Sequence, residues 1–506
     1  MLLGSALVTG CVQNPVTGER ELGFVSTAQQ ISIGEQQYVP AQQMQGGQYR
    51  VDPGLTEYVQ QVGQRVAANS GIDLPYEFVV LNNSVPNAWA LPGGKLAINR
   101  GLLTELRNEA ELAAVLGHEI THAAARHGAK AIERSVVSQA ALLAVAIGTA
   151  DTEYVGAALG AAQLAAGLIN QKYGRDAERE ADYYGTRFIA EAGYEPYAAV
   201  SLQETFVRLS EGHNPSWVEG LFSSHPPSNE RVANNRGLVE ELRNEGFTGG
   251  EFNADAYQAA LRQLRQDQDA YEAYDEARKA LAEDRLVDAD ALVEKALEAQ
   301  WKEAAFHGLR GDLRLRQERY DDAVTNYDRA DERDDDYFAY YLGRGVARAR
   351  QGDRQEAGAD LRRSLELLPT AVAYNELGVL AEAAGDVENA LTHYQTAAQS
   401  DSPAGRAAQA RLLRLDLPRN PDRYVDARLS RDSTGRVIMQ VSNRTGAPLS
   451  DVEVVIETLD ADGRVGRFRT VVDRVAAGSA TVMLVSEHSE GLVDARAVVV
   501  GARIDD

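Results

Sequence analysis

Within His118-Glu119-Ile120-Thr121-His122, two imidazoles stand four residues apart. On a helix, positions i and i+4 share a face, so both rings can reach one metal ion, while Glu119 lies one step round, placed to touch a water. That is the chemistry of metal-assisted hydrolysis, with Glu119 as general base. Two packed or solvent-facing histidines are the plain alternative. A catalytic zinc needs a third protein ligand and one open position. His127, nine residues from His118, is expected on the far side of the helix. The extended metzincin pattern is absent, because Ala125 and Gly128 stand where it needs Gly and His.

A third ligand is offered by Arg175-Asp176-Ala177-Glu178-Arg179-Glu180-Ala181-Asp182. Glu178 and Asp182 are again i and i+4, a candidate ligand with a second carboxylate behind it. Metal-bound histidines commonly donate their other ring N–H to such a group. Glu180 is expected to point roughly opposite and is set aside as a ligand. A charged, solvated helix is the alternative, and coupling to the first motif weighs against it.

These residues need elements to hold them. Leu112, Val115, Leu116 and Ile120 give a helical face running from Asn108 to His127, with Gly128 as a stop. Another helical pattern runs from about Ser26 to Gln43. Residues 76–100 read as strands, with Trp89-Ala90-Leu91 and Lys95-Leu96-Ala97-Ile98 flanking the Pro92-Gly93-Gly94 turn. The strand around Ala88 to Leu91 is the candidate edge for pairing with an extended peptide. Residues 135–170 are rich in Ala, Gly, Val and Leu, but Asp151 and Glu153 cut them into pieces shorter than the roughly 20 residues of a membrane span. Packed small-residue helices or an apolar flap are expected there.

Beyond residue 257 a period appears. Ala289, Ala323, Ala357 and Ala390 are spaced 34, 34 and 33 residues apart, and each is followed four residues later by Val293, Tyr327, Leu361 or Tyr394. Ala296, Ala330, Ser364 and Ala397 come three further on, and Gly311, Gly345 and Gly378 precede three of the alanines by twelve. This resembles the tetratricopeptide repeat, with small residues where paired helices touch and a bulky one filling the gap. After Pro418 the period becomes two, as in Val437, Met439, Val441 and in Val452, Val454, Ile456, and Asp462-Gly463 is a hairpin signal.

At 506 residues the chain should hold two to four domains. Its net charge of −24 makes nucleic acid an unsuitable partner. The lone cysteine, Cys11, excludes an internal disulfide framework. It follows a short apolar run, and Val8-Thr9-Gly10-Cys11 resembles the lipobox of bacterial lipoproteins, where the preceding segment is removed and the cysteine is acylated.

Residues 12–240 resemble the HtpX-like and BepA-like gluzincin metallopeptidases, the group that includes the CAAX prenyl endopeptidases. Asn14-Pro15-Val16-Thr17-Gly18, Pro86 to Gly94, His118 to His122 and Glu178 to Asp182 carry the likeness. With the repeats added, the BepA-like branch is nearest. The resemblance implies one Zn2+ per chain on His118, His122 and Glu178, with Asp182 behind them. It also gives meaning to Ser224-His225-Pro226 and Arg231: His225 and Arg231 either stabilise an oxyanion, or His225 fills the open zinc position. The expected fold is multidomain: a segment 1–11 ending at an acylated Cys11, a mainly α (α+β) gluzincin domain over 12–245, an all-α repeat solenoid over 257–415, and an all-β immunoglobulin-like sandwich over 420–506, which the period-two runs suggest and which departs from the BepA-like pattern. The implied protein is a periplasmic, outer-membrane-anchored endopeptidase or chaperone. It acts on unfolded or misassembled envelope proteins, with its repeats binding a client or the outer-membrane assembly machinery.

Overall fold

A computed structural model describes residues 10–145, 164–212, 225–460, 464–486 and 492–505. The chain falls into two compact units, Met1–Pro369 and Thr370–Asp506.

The first unit opens with a hairpin of Gly10–Gln13 against Arg20–Gly23. Helix Thr27–Met44 follows, started by a capping box between Ser26 and Gln29. A three-stranded sheet places Lys95–Asn99 in the centre, parallel to Glu77–Leu81 and antiparallel to Ala88–Leu91. The Pro-Gly-Gly turn joins Ala88–Leu91 to Lys95–Asn99, and Gly93 and Gly94 both have positive φ, a conformation that side chains with a Cβ resist. Ala88–Leu91 is therefore an edge strand, but all four of its residues are buried. Trp89 and Leu91 share a cluster with Ala165, Leu168 and Ile169, so residues 164–169 pack against it.

Helix Glu109–Ala124, the motif helix, is buried along almost its whole length. Asn108 caps it, accepting from the Glu111 amide at 3.0 Å. Its buried Glu109 accepts hydrogen bonds from Tyr58, Tyr194 and Asn253, so the charge does not stand alone. The helix ends earlier than the sequence suggests. Arg126 adopts a positive φ of 65°, and a new helix, His127–Val145, begins at once. Residues 146–163, the middle of the apolar stretch, lie outside the described residues, and no described helix is long and apolar enough to cross a membrane.

Three helix pairs close the first unit: Gln268–Ala282 with Leu286–Ala299, Ala304–Arg316 with Tyr320–Asp331, and Phe338–Gln351 with Arg354–Leu367. Ala289, Ala323 and Ala357 are buried, as are Val293, Tyr327 and Leu361. A Cβ on Gly311 would stand 2.7 Å from the Tyr327 ring, which shows why the bulky position demands a glycine opposite. One hydrophobic core joins sheet, motif helix and first repeat helices, from Tyr49 and Leu96 to Tyr271 and Phe306. Arg100 stacks over the Tyr271 ring at 3.5 Å, and Asn82 donates to Glu303 at 3.0 Å. Residues 257–299 are thus packed into the unit that carries the motif helix, not set off from it as a separate body.

The second unit begins with helices Ala371–Ala383 and Val387–Ala397, where Tyr394 fills the space beside Gly378. Two antiparallel three-stranded sheets follow. Val437–Asn443 is central between Ala480–Ser486 and Val425–Arg431, and Leu449–Asp460 is central between Leu492–Ile504 and Val465–Val475. Met439, Val441, Val452, Val454 and Ile456 form their common core, as the period-two pattern requires. Residues 461–463, the hairpin signal, lie outside the described residues.

Candidate metal centre

Two helices make the site by crossing closely. The motif helix meets helix Arg175–Glu191, the acidic helix, at Gly117 and Gly185. A Cβ on Gly117 would lie 2.9 Å from the Gly185 carbonyl oxygen. The next residue, His118, and the acidic helix's first turns are thereby brought into register.

His118 and His122 turn their Nε2 atoms toward each other, 3.1 Å apart. Glu178 closes the group, its Oε1 lying 3.4 Å from His122 Nε2 and its Oε2 3.6 Å from His118 Nε2. His225 enters from the far side, with Nδ1 at 2.9 Å from Glu178 Oε1 and 3.2 Å from His118 Nε2. All four donors lie within 4.8 Å of one another. Bonds of about 2.1 Å in a tetrahedron set ligand atoms about 3.4 Å apart, so this donor set fits zinc.

The carboxylates are held ionised. Burial opposes the charge on Glu178, yet His225, His122 and His118 bring its pKa below the ordinary range. Burial likewise opposes the charge on Asp182, but the bidentate Arg231 guanidinium, at 2.8 and 2.7 Å, outweighs it. Burial lowers the His122 pKa, favouring the neutral ring that ligates metal. For His225, burial acts downward but Glu178 and Glu119 prevail, and the net shift is upward.

Around this group, Asp182 Oδ1 stands 3.0 Å from His118 Nδ1. Glu119 is buried 3.6 Å from His225 Nε2, and its Oε2 has no hydrogen-bond partner among the described residues. Arg231, buried in the first turn of helix Asn229–Asn244, holds its Nη1 2.9 Å from Glu178 Oε2 as an ion pair and donates from it to the Pro226 carbonyl at 3.3 Å. It braces Asp182 through two hydrogen bonds and pairs with Glu178, and it lines the cavity beside His118, Glu119 and His225.

One feature corrects the expectations from helical geometry. His127 is not on the far side: the break at Arg126 returns it to His122, with the two Nδ1 atoms 2.8 Å apart. Glu180, set aside as a ligand, is not among the four donors, and its Oε2 lies 3.6 Å from His127 Nε2. Tyr173 also belongs to the site, though no motif includes it. It stacks on His122 with ring centroids 4.0 Å apart, and only its position five residues before Glu178 hinted at it. Burial, then Glu119 and Glu178, raise its pKa and keep the phenol protonated.

Residues 53–239 match the model of peptidase family M48. A putative beta-barrel assembly-enhancing protease of Vibrio cholerae is 33% identical over 197 residues, covering 37% of this chain and 39% of that protein. Metalloprotease YcaL of Escherichia coli is 34% identical over 168 residues, covering 33% and 63%. A tetratricopeptide repeat protein of Thermus thermophilus, at 20% identity and a TM-score of 0.27, covers 35% of this chain and 95% of its own. The chain spans less than two thirds of the length of each of these curated relatives. His118, His122, Glu178 and His225 all lie in the matched segment, and residues 53–239 are a peptidase family M48 domain.

Proposed function

We propose that this chain is a zinc metalloendopeptidase of the cell envelope that hydrolyses unfolded or misassembled envelope proteins. The observation that carries the reading is the four-donor cluster with the orphaned carboxylate oxygen of Glu119 beside it, inside the peptidase domain. His118, His122 and Glu178 would hold one zinc per chain. When bound, zinc supplies the Lewis acid that polarises the scissile carbonyl and acidifies the attacking water. Glu119 accepts that water's proton and delivers it to the leaving amine. Asp182 fixes the His118 ring by its Nδ1, Arg231 braces Glu178 and Asp182, and His225 is positioned to donate to an oxyanion once it leaves the donor cluster.

A cavity behind His118 and Glu119, walled by Ala114, Val115, Leu202 and Phe206, suits an apolar substrate side chain next to the cleaved bond. The edge strand Ala88–Leu91 would take the substrate backbone, provided residues 164–169 move off it. The repeats would bind a client or an assembly partner. Cys11 would carry the lipid that anchors the protein to the outer membrane, which a mass shift on Cys11 tests.

A second reading is a chaperone or scaffold with a largely closed zinc site. It is favoured by the position of His225 among the donors. Digestion of casein or unfolded outer-membrane protein, with and without chelator and with Glu119→Gln as control, separates the two. No chelator-sensitive cleavage by any form, the His225→Ala variant included, would leave the scaffold.

A further inference from the structure

The hairpin that opens the first unit is linked to the metal centre through Glu180 and His127. Asn14 is fully buried, and its side-chain oxygen accepts from the amides of Val16 and Thr17 at 2.9 and 3.3 Å. Its amide nitrogen donates to Glu180 Oε1 at 3.0 Å and to Glu21 Oε1 at 3.2 Å. Lys130 pairs with Glu21 at 2.8 Å, tying the hairpin to helix His127–Val145. From Glu180 the path continues to His127 Nε2 at 3.6 Å, and from His127 Nδ1 to His122 Nδ1 at 2.8 Å.

The proton positions along this path follow from His122. Its Nε2 faces the other donors, so its proton sits on Nδ1 when Nε2 ligates a metal. His127 Nδ1 must then accept, which puts the His127 proton on Nε2, facing the Glu180 carboxylate. His118 has a carboxylate at its Nδ1 directly, in Asp182. His122 has one at second hand, through an imidazole. The acidic helix supplies both, along with the ligand Glu178.

We infer that His127, Glu180 and Asn14 are positioning residues for the metal ligand His122, and that the Asn14-Pro15-Val16-Thr17-Gly18 turn exists to hold this chain of contacts. The inference rests on the zinc reading of His118, His122 and Glu178. An orienting partner of this kind is worth about 10- to 100-fold in metal affinity.

The test measures zinc affinity by competition with a chromophoric chelator, and the visible spectrum of the cobalt(II)-loaded protein, in the full chain. His127→Leu should weaken zinc about 10- to 100-fold and alter the cobalt bands. His127→Asn, which keeps an acceptor at the δ position, should recover much of that loss. Glu180→Gln and Asn14→Ala should each weaken zinc less than His127→Leu. Their combination should do no more than Glu180→Gln alone, because they act on one path. Melting of the metal-free proteins separates folding from positioning. Unchanged zinc affinity and cobalt spectrum in His127→Leu overturn the inference, as does an Asn variant that behaves like the Leu variant. Glu178→Ala is the control on the underlying reading: if it too leaves zinc binding intact, the zinc assignment fails, and not merely the role of His127.

Discussion

Gly185 lies against Gly117 so closely that a methyl group on it would stand 2.8 Å from the Gly117 carbonyl carbon and from the His118 amide nitrogen. The spacing of the two helices, and with it the distance from Glu178 to His118 and His122, is set at this contact. Gly185→Ala must push the helices apart or distort them, at a cost of about 1–3 kcal/mol. Zinc affinity should fall with stability. Gly237→Ala is the matched control, since a methyl there meets nothing within 4 Å. It sits inside helix Asn229–Asn244 and should gain about 0.5–1 kcal/mol. Zinc titration and thermal melting of both variants decide the matter, and unchanged zinc affinity in Gly185→Ala would show that this crossing does not set the ligand spacing.

Glu119→Gln should keep fold and zinc while cleavage falls by about 10²- to 10⁴-fold. The side chain is buried beside the donors yet is not one of them, so the amide can replace the carboxylate without disturbing the ligands. Zinc content and casein cleavage, measured on the same preparation, check both halves. Near wild-type cleavage would remove Glu119 from the general-base role.

What the sequence discloses depends on whether a periodicity carries it. The 34-residue spacing of Ala289, Ala323 and Ala357 is legible because each alanine is a contact between helices, where nothing larger fits. The alternation of Val452, Val454 and Ile456 is legible because one sheet face is buried. His118 with His122, and Glu178 with Asp182, are readable as pairs on a helix face for the same reason. His127 escapes helical geometry because the motif helix stops before Arg126, whose positive φ no residue pattern announces. Tyr173 and His225 reach the site from outside the two helices. Tertiary packing puts them there, and spacing along the chain cannot. The close contact of Gly117 with Gly185 is visible in sequence only as two glycines inside helices, each of which alone means little.

A pH effect is expected where the repeats meet the sheet-bearing part of the first unit. Burial is the main cause that raises the Asp334 carboxyl to about 6, against the opposing pull of Arg50, which lies 3.6 Å away. The folded state therefore binds this proton more tightly than the unfolded chain, whose Asp titrates near 3.9. Its contribution to stability is fully present below about pH 4 and is lost as pH rises through about 6. Asp334→Asn abolishes that loss, and the half-exposed Arg50 partner contributes little. In chelator, the variant should be more stable than wild type by about 1–3 kcal/mol at pH 8 and no different near pH 4. Thermal melts at the two pH values measure the difference, and an equal gain at both would mean that ionisation of Asp334 is not its source.

His225 gives the outcome that separates the two functional readings. Its Nδ1 lies with the candidate metal donors, while its Nε2 lies 3.6 Å from Glu119, so in this arrangement one ring contacts both the donor cluster and the proposed base. With His225 as fourth ligand the zinc shell is closed, and substrate must displace the ring before its carbonyl can approach. If the ring is displaced in only about a tenth of molecules, removing it raises apparent activity about tenfold. His225→Ala should therefore cleave casein faster and less selectively than wild type, with zinc still bound by His118, His122 and Glu178. Were His225 needed instead as an oxyanion donor, the same variant would lose about 10²- to 10³-fold in rate with zinc retained. The direction of the change assigns the role. His225→Gln, which keeps a hydrogen-bond donor but ligates zinc poorly, should side with the alanine variant if closure is what matters, and with wild type if donation is.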